Sequence, residues 1–191
     1  KIVGIKATSN GLIVGTESTP YLITGSDPSA MVAIKIETAE ACLSKRSMVD
    51  MGEAVVFAGP DGLMAASGVT VRNLTETLVT AEQWQANYYP STITGFYWQG
   101  RYVGFFNTGS GFGGFIFDFR NQTAALTNLD ASALIRGGFT DPDDNELYII
   151  VGNKIKKFQG SSTSLTYNWK SKEYAVARPT SMGFAKVDAE S

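Results

Sequence analysis

Four hairpin-like units recur along this chain at a nearly constant interval, and this recurrence constrains the fold more than any other feature. Each unit is a short apolar strand, a tight turn and a second apolar strand, and the units are aligned at Leu12, Val55, Tyr102 and Leu147. The steps between these residues are 43, 47 and 45 residues. Repeats of about 40–50 residues built from short strands are typical of propeller blades. The pattern therefore predicts a whole or partial β-propeller.

Further extended segments flank the hairpins, so each repeat is predicted to hold four antiparallel strands. The predicted fold class is all-β, with about four four-stranded, blade-like repeats and short helical insertions. The repeats cover about residues 2–37, 47–75, 92–120 and 146–177 of a single propeller-like domain spanning 1–191. The capping-box spacing of Thr80 and Gln83 predicts one helix between repeats. A second short helix is expected over 130–135, ended by Gly137 and Gly138.

The composition excludes several catalytic mechanisms. The 191 residues include no histidine and a single cysteine, Cys42. Without histidine there is no Ser-His-Asp or Cys-His arrangement, no histidine-ligated metal and no imidazole base. The formal net charge of −2 gives no overall attraction for a polyanion, although local basic patches remain compatible with it. We therefore expect no catalytic residue, no metal site and no cofactor, and the absence of a long apolar run predicts no membrane span.

Two loops contain motifs whose interpretation depends on the secondary structure around them. Residues 109–114 match the glycine spacing of a dinucleotide-binding loop, but an alternating, strand-like segment follows where that motif requires a helix. A hairpin loop is therefore favoured there. Residues 141–146 gather four carboxylates and an amide, which could bind calcium. A solvated acidic turn is favoured, because Asp, Asn and Pro are common turn residues and the EF-hand spacing is absent.

Basic and aromatic clusters leave two interpretations open. Basic residues lie at 45–46, at 170 and 172 beside Trp169, and at Lys154, Lys156 and Lys157. They could contact a phosphate backbone or be the solvent-exposed faces of strands, and the last three are the candidate DNA-facing residues. The dense aromatic stretch from Tyr88 to Phe106 favours core packing, with sugar stacking as the alternative.

Several segments resemble the β-propeller region of tail nozzle or tail hub proteins, the tubular components of tailed bacteriophages. The matching segments, in order, are Cys42–Leu63, Val79–Trp84, Pro90–Ile93, Gln99–Val103 and Trp169–Lys172. The resemblance implies a non-enzymatic virion protein of the phage tail, made in the host cytoplasm and assembled into a ring or collar through which the genome passes. The implied partners are other copies of the chain, other tail or portal-adapter proteins and, non-specifically, DNA in the channel.

Two further functions are kept as alternatives. One is a carbohydrate-binding propeller that acts in host adsorption, and the other is a propeller enzyme of the glycosidase type. The sequence begins at Lys1, within a strand-like run, and does not start with an initiator methionine. We therefore also expect it to be a piece of a longer protein.

Overall fold

The computed structural model describes residues 1–118, 125–162 and 166. The chain divides into two compact units, Lys1–Gly160 and Ser161–Ser191, and the sheets all belong to the first. Within this unit, four antiparallel sheets form a ring like that of a four-bladed β-propeller. The predicted all-β propeller class is confirmed.

Each sheet is a meander in which strands adjacent in sequence are adjacent in space. The first sheet contains β1 (Ile2–Thr8), β2 (Gly11–Thr16), β3 (Tyr21–Thr24) and β4 (Val32–Lys35). The second contains β5 (Val49–Asp50), β6 (Val55–Ala58), β7 (Leu63–Ser67) and β8 (Thr70–Asn73). The third contains β9 (Thr94–Trp98), β10 (Arg101–Asn107), β11 (Phe112–Asp118) and β12 (Ala125–Ala131). The described part of the fourth contains β13 (Ile135–Thr140), β14 (Leu147–Val151) and β15 (Lys154–Lys157).

The first strands of the four sheets lie at the centre of the ring. Strand β5 contacts β1 and β9, and β9 contacts β13. Each of these strands is at one end of the strand order of its own sheet, so one of its edges has no partner within the sheet. The propeller axis therefore runs between β1, β5, β9 and β13.

The core is divided among the seams between consecutive sheets. One apolar cluster joins the first and second sheets, around Ile13, Val55 and Phe57. A second joins the second and third sheets, and a third joins the third and fourth. Burying this apolar surface is the main favourable term in folding, so the stability of the ring comes largely from contacts between sheets.

The predicted helix at residues 80–87 is confirmed as α1 (Ala81–Tyr88). The Thr80 hydroxyl accepts a hydrogen bond from the Gln83 N–H, and the Gln83 side chain accepts one from the Thr80 N–H, which completes the capping box. Trp84 on this helix is fully buried and donates its indole N–H to the Gly59 carbonyl at 3.0 Å. The helix thereby packs into the seam between the second and third sheets.

The prediction of a helix over 130–135 is wrong. Strand β12 continues to Ala131, where it pairs with Phe112 of β11, and β13 begins at Ile135. A helix of six residues gains little stability, because helix nucleation is costly. As a strand, β12 instead pairs with β11 along seven residues.

Two of the expected repeat boundaries change in consequence. The repeat placed at 92–120 extends to Ala131, because β12 completes the third sheet. The repeat placed at 146–177 begins at Ile135, because β13 is its first strand. Its expected closing strand, over residues 166–176, lies outside the described residues apart from Thr166.

Candidate functional site

An axial cavity of about 770 Å³ lies at the centre of the ring, and segments of β1, β9 and β13 and the residues in and before β5 line it. A sphere of this volume is about 11 Å across, close to the Debye length of about 10 Å at 0.1 M salt. Charges on its wall therefore lie within about one Debye length of a shared ligand, so salt screens their attraction only in part. The volume is also within the range of about 300–1,000 Å³ that is usual for small-molecule sites.

The wall of this axial cavity is strongly basic. Its cationic residues are Lys6, Lys45, Arg46 and Arg136, whereas Asp50 is its single carboxylate among the described residues. Four of the 16 basic residues of the chain thus converge on one cavity, against one of the 18 acidic residues. None of the four cations forms an ion pair with any residue that the structure describes. The cavity therefore presents an uncompensated positive charge in a chain whose net charge is negative.

Backbone groups add to this positive wall. The four lining strands are edge strands of their sheets, and an edge strand carries a row of N–H and C=O groups without ladder partners. The lining also includes the glycines Gly4, Gly95, Gly137 and Gly138, which add no side chain of their own to the wall. Backbone N–H groups on these unpaired edges can donate to an anion together with the lysine and arginine side chains.

The sequence alone predicts only part of this set. Lys45 and Arg46 stand out as a basic pair, but Lys6 and Arg136 are each an isolated cation in their own segment. The signal that could have found these two is their location on the first strands of two different sheets, since first strands of propeller blades meet at the axis.

The candidate DNA-facing lysines lie on β15, away from the lining of the axial cavity. All four residues of this strand are exposed. Lys157 forms an ion pair with Glu146, with 3.3 Å between Nζ and Oε1, and the hydrogen bond from Lys157 to Glu146 raises the pKa of Lys157. Lys154 and Lys156 form no ion pair within the described part of the chain and share one face of the strand. Contact of these residues with DNA stays a prediction.

Two carboxylates of the acidic loop 141–146, those of Asp141 and Asp144, accept local hydrogen bonds. Asp141 accepts the Asp143 N–H at 3.0 Å, and Asp144 accepts the Glu146 N–H at 2.9 Å and the Tyr148 hydroxyl at 2.8 Å. The backbone hydrogen bond from Glu146 lowers the pKa of Asp144, and the Tyr148 bond acts in the same direction. Within the residues described, no group of three or more potential metal ligands comes together. The loop is an acidic turn that leads into β14.

The glycine-rich segment 109–114 is a hairpin connection, as its context predicted. Strand β11 already begins at Phe112, and Gly113 and Gly114 pair with Phe106 and Phe105 of β10. A Cβ at Gly113 would lie 2.5 Å from the Phe106 ring, so glycine is needed there for the close approach of that ring. The segment does not open a helix, which is the context that a dinucleotide loop requires.

The aromatic stretch between Tyr88 and Phe106 is mostly core. Its buried members are Tyr88, Phe96, Trp98, Tyr102 and Phe105. Trp98 is only 5% exposed, lies under the Arg101 guanidinium at 4.9 Å and makes an edge contact with Phe158. Its ring is therefore not available as a stacking platform for a sugar.

Cys42 is buried beneath the first two sheets. Burial raises the pKa of its thiol to about 11, so the side chain is protonated near neutral pH. A cysteine nucleophile or metal ligand must be a thiolate, and this environment disfavours that form.

Exposed apolar residues concentrate in the first and fourth sheets and the residues that flank them. These segments hold nine of the fourteen large apolar side chains that are exposed in the described residues. One group, Met31, Val32 and Ile34, lies on and beside β4 and is named the β4 patch. Another, Ile150 and Ile155, pairs across the ladder of β14 and β15 and is named the β15 patch.

No protein-family model matches this sequence, and a search of curated proteins also gave no match. Among the helices that the structure describes, none is both long enough and apolar enough to cross a lipid bilayer. The resemblance to phage tail proteins consequently rests on the sequence segments alone.

Proposed function

We propose that this chain is a non-enzymatic structural protein of a phage tail, of the nozzle or hub type, that assembles into a ring around the path of the genome. Two findings support the proposal: the segments that resemble such proteins, and the propeller fold that the resemblance implies. The observation that carries the assembly step is the pair of exposed apolar patches on different sheets. In this interpretation the protein acts through its surfaces.

The two patches consist of different residues on different sheets, so a contact between one patch and the other joins unlike surfaces. The β4 patch lies on the outermost strand of the first sheet, whereas the β15 patch lies on the last described strands of the fourth. When one copy presents its β4 patch to the β15 patch of the next, the contact is head-to-tail. Head-to-tail contacts generate closed rings when the rotation between copies closes. Burial of these apolar side chains is the expected driving force.

The dimensions of the axial cavity indicate where DNA would pass. The cavity is about 11 Å across as a sphere, and the major groove of B-DNA alone is about 12 Å wide. A duplex therefore does not fit along the axis of one propeller. In the proposed assembly the genome passes through the opening enclosed by the ring of subunits. Lys154 and Lys156 are candidates to face that opening, and non-specific phosphate contacts would suit a moving duplex.

The assembly is tested with two patch variants and one control. We expect the unmodified chain to form rings in negative-stain electron microscopy and a matching mass in analytical ultracentrifugation. Val32→Lys/Ile34→Lys and Ile150→Lys/Ile155→Lys should each give monomers. Val69→Lys, which changes an exposed apolar residue in the turn between β7 and β8, should leave the rings intact.

Mixing the two patch variants provides the sharpest outcome. Each variant keeps one intact patch, so a head-to-tail contact predicts that the mixture forms dimers and nothing larger. A monomeric unmodified chain at every concentration would overturn the assembly step. Rings without an opening wide enough for duplex DNA would overturn the genome-passage role. Binding to a glycan array in the absence of rings would favour the carbohydrate-binding alternative.

A further inference from the structure

The axial cavity has the composition of an anion site, although nothing in the resemblance or the assembly argument assigns it a ligand. Its four cations come from three separate segments of the chain, at residues 6, 45–46 and 136, and folding brings them to one wall. Like charges brought together repel each other, so such a cluster costs free energy unless a counter-charge offsets it. Among described residues, Asp50 is the single carboxylate on the wall.

Asp50 offsets little of this charge. Its Oδ1 atom accepts the Gly52 N–H at 2.7 Å, a local turn contact, and it forms no ion pair with a described cation. The cations are exposed to the solvent in the cavity and are not held in ion pairs by other described side chains. Their donors are therefore free to reorient around a ligand.

We propose that the axial cavity binds a small, multiply charged phosphate compound, with Lys6, Lys45, Arg46 and Arg136 as the cationic ligands. Arginine matches phosphate oxygens with two parallel hydrogen bonds, and lysine adds point charges. Backbone N–H groups without ladder partners along the edge strands supply further donors. The cavity size selects a compact anion, since a nucleic acid duplex does not fit. The site does not depend on the proposed role in a phage tail.

The first probe is inorganic triphosphate, measured by isothermal titration calorimetry with the full chain at low salt. We expect one triphosphate per chain and an affinity that falls as salt is raised, because the attraction is electrostatic. Lys6→Gln/Arg136→Gln should weaken binding by about tenfold or more, since two charge-assisted contacts are lost.

A matched control separates this site from general surface charge. Lys154→Gln/Lys156→Gln removes the same number of positive charges from β15, away from the lining of the cavity. It should change the triphosphate affinity by less than about twofold, because these exposed lysines do not line the cavity and water and salt weaken their effect on a ligand there. An equal loss in both double variants would overturn the proposal, as would the absence of triphosphate binding by the unmodified chain.

Asp50→Asn gives an outcome that misfolding cannot imitate. The asparagine amide keeps an oxygen that can accept the Gly52 N–H. The substitution removes the one negative charge from the part of the cavity wall that the structure describes. One charge pair about 6 Å apart in water changes affinity by about threefold, and triphosphate carries several negative charges, so this variant should bind triphosphate at least about threefold more tightly. Weaker binding by Asp50→Asn, with unchanged thermal stability, would contradict the charge argument.

A second probe distinguishes the source of the phosphate. ATP carries the same triphosphate chain with an added ribose and base. Tighter binding of ATP than of inorganic triphosphate would identify a nucleotide as the ligand type, and equal binding would show that the phosphate chain alone is recognised. Binding of ATP by a variant that has lost inorganic triphosphate would overturn the proposed site.

Discussion

The hydroxyl of Tyr102 joins two sheets through one buried hydrogen bond, and removing it gives a direct test of how the ring is held together. Tyr102 on β10 is fully buried and donates to the Ser47 carbonyl at 2.9 Å. The turn that contains Ser47 leads into the second sheet, and the Ser47 hydroxyl also accepts the Ala58 N–H at 2.9 Å. In Tyr102→Phe the ring can keep its stacking on Phe115, but the Ser47 carbonyl loses its donor in a dry interior.

The size of the effect follows from the cost of a buried polar group without a partner. This cost is about 1–3 kcal/mol, so we expect Tyr102→Phe to lower the free energy of unfolding by about 2 kcal/mol. For a domain of this size, 1 kcal/mol corresponds to about 2–4 °C, which predicts a decrease in Tm of about 4–8 °C. Thermal unfolding followed by tryptophan fluorescence measures both quantities.

Tyr148→Phe is the matched control, because it removes a tyrosine hydroxyl from an exposed hydrogen bond. The Tyr148 hydroxyl donates to the Asp144 carboxylate at 2.8 Å on the surface, where water can replace it. We expect a loss of about 0.5 kcal/mol or less. Equal losses in Tyr102→Phe and Tyr148→Phe would refute the reasoning that buried polar contacts between sheets stabilise the ring.

Two further predictions concern single side chains. Thr80→Ala should lower the free energy of unfolding by about 1 kcal/mol, because the Gln83 N–H loses its cap, whereas Thr80→Ser should retain most of the stability; equal losses would contradict the capping role. Glu40→Gln should raise the free energy of unfolding near neutral pH by about 0.5 kcal/mol. This value is below the usual cost of a buried polar group without a partner, because the Glu40 side chain is partly solvated. One Glu40 oxygen is buried without a hydrogen bond to the described residues, and desolvation, with repulsion from Asp61, raises the pKa of its carboxyl. The folded state then retains the proton more strongly, so wild-type stability falls as pH rises through this pKa. The gain should disappear below the ordinary value of 4.5, and its persistence there would contradict this cause.

The parts of the fold that could be predicted from sequence are those with local signals. The dipeptide Gly152-Asn153 is typical of a two-residue hairpin loop, and it forms the turn between β14 and β15. The Thr80 capping box likewise marks the start of a helix that is present. In both cases the residues that carry the signal also form the contact. Local chemistry was sufficient because no distant segment had to be known.

Strand β12 could not be recognised in the same way. Its sequence contains two alanines and mostly exposed positions, with Leu126 and Leu129 only half-buried, so neither composition nor alternation indicates a strand. It forms because β11 offers an unpaired edge along seven residues. The cations of the axial cavity have the same origin: Lys6 and Arg136 are 130 positions apart, and only the closing of the ring makes them neighbours.

Glycines on the inner strands connect the fold with the proposed anion site. A Cβ at Gly4 of β1 would lie 2.7 Å from the Met48 sulfur, and one at Gly138 of β13 would lie 2.6 Å from the Tyr148 carbonyl oxygen. Real Cβ atoms do not approach so closely, so glycine lets neighbouring strands pack tightly near the axis. Side chains that line the axis must therefore come from other positions on these strands, and Lys6 and Arg136 each lie two residues from one of these glycines. The close packing that a four-sheet ring requires thus determines which residues can place a positive charge in its cavity.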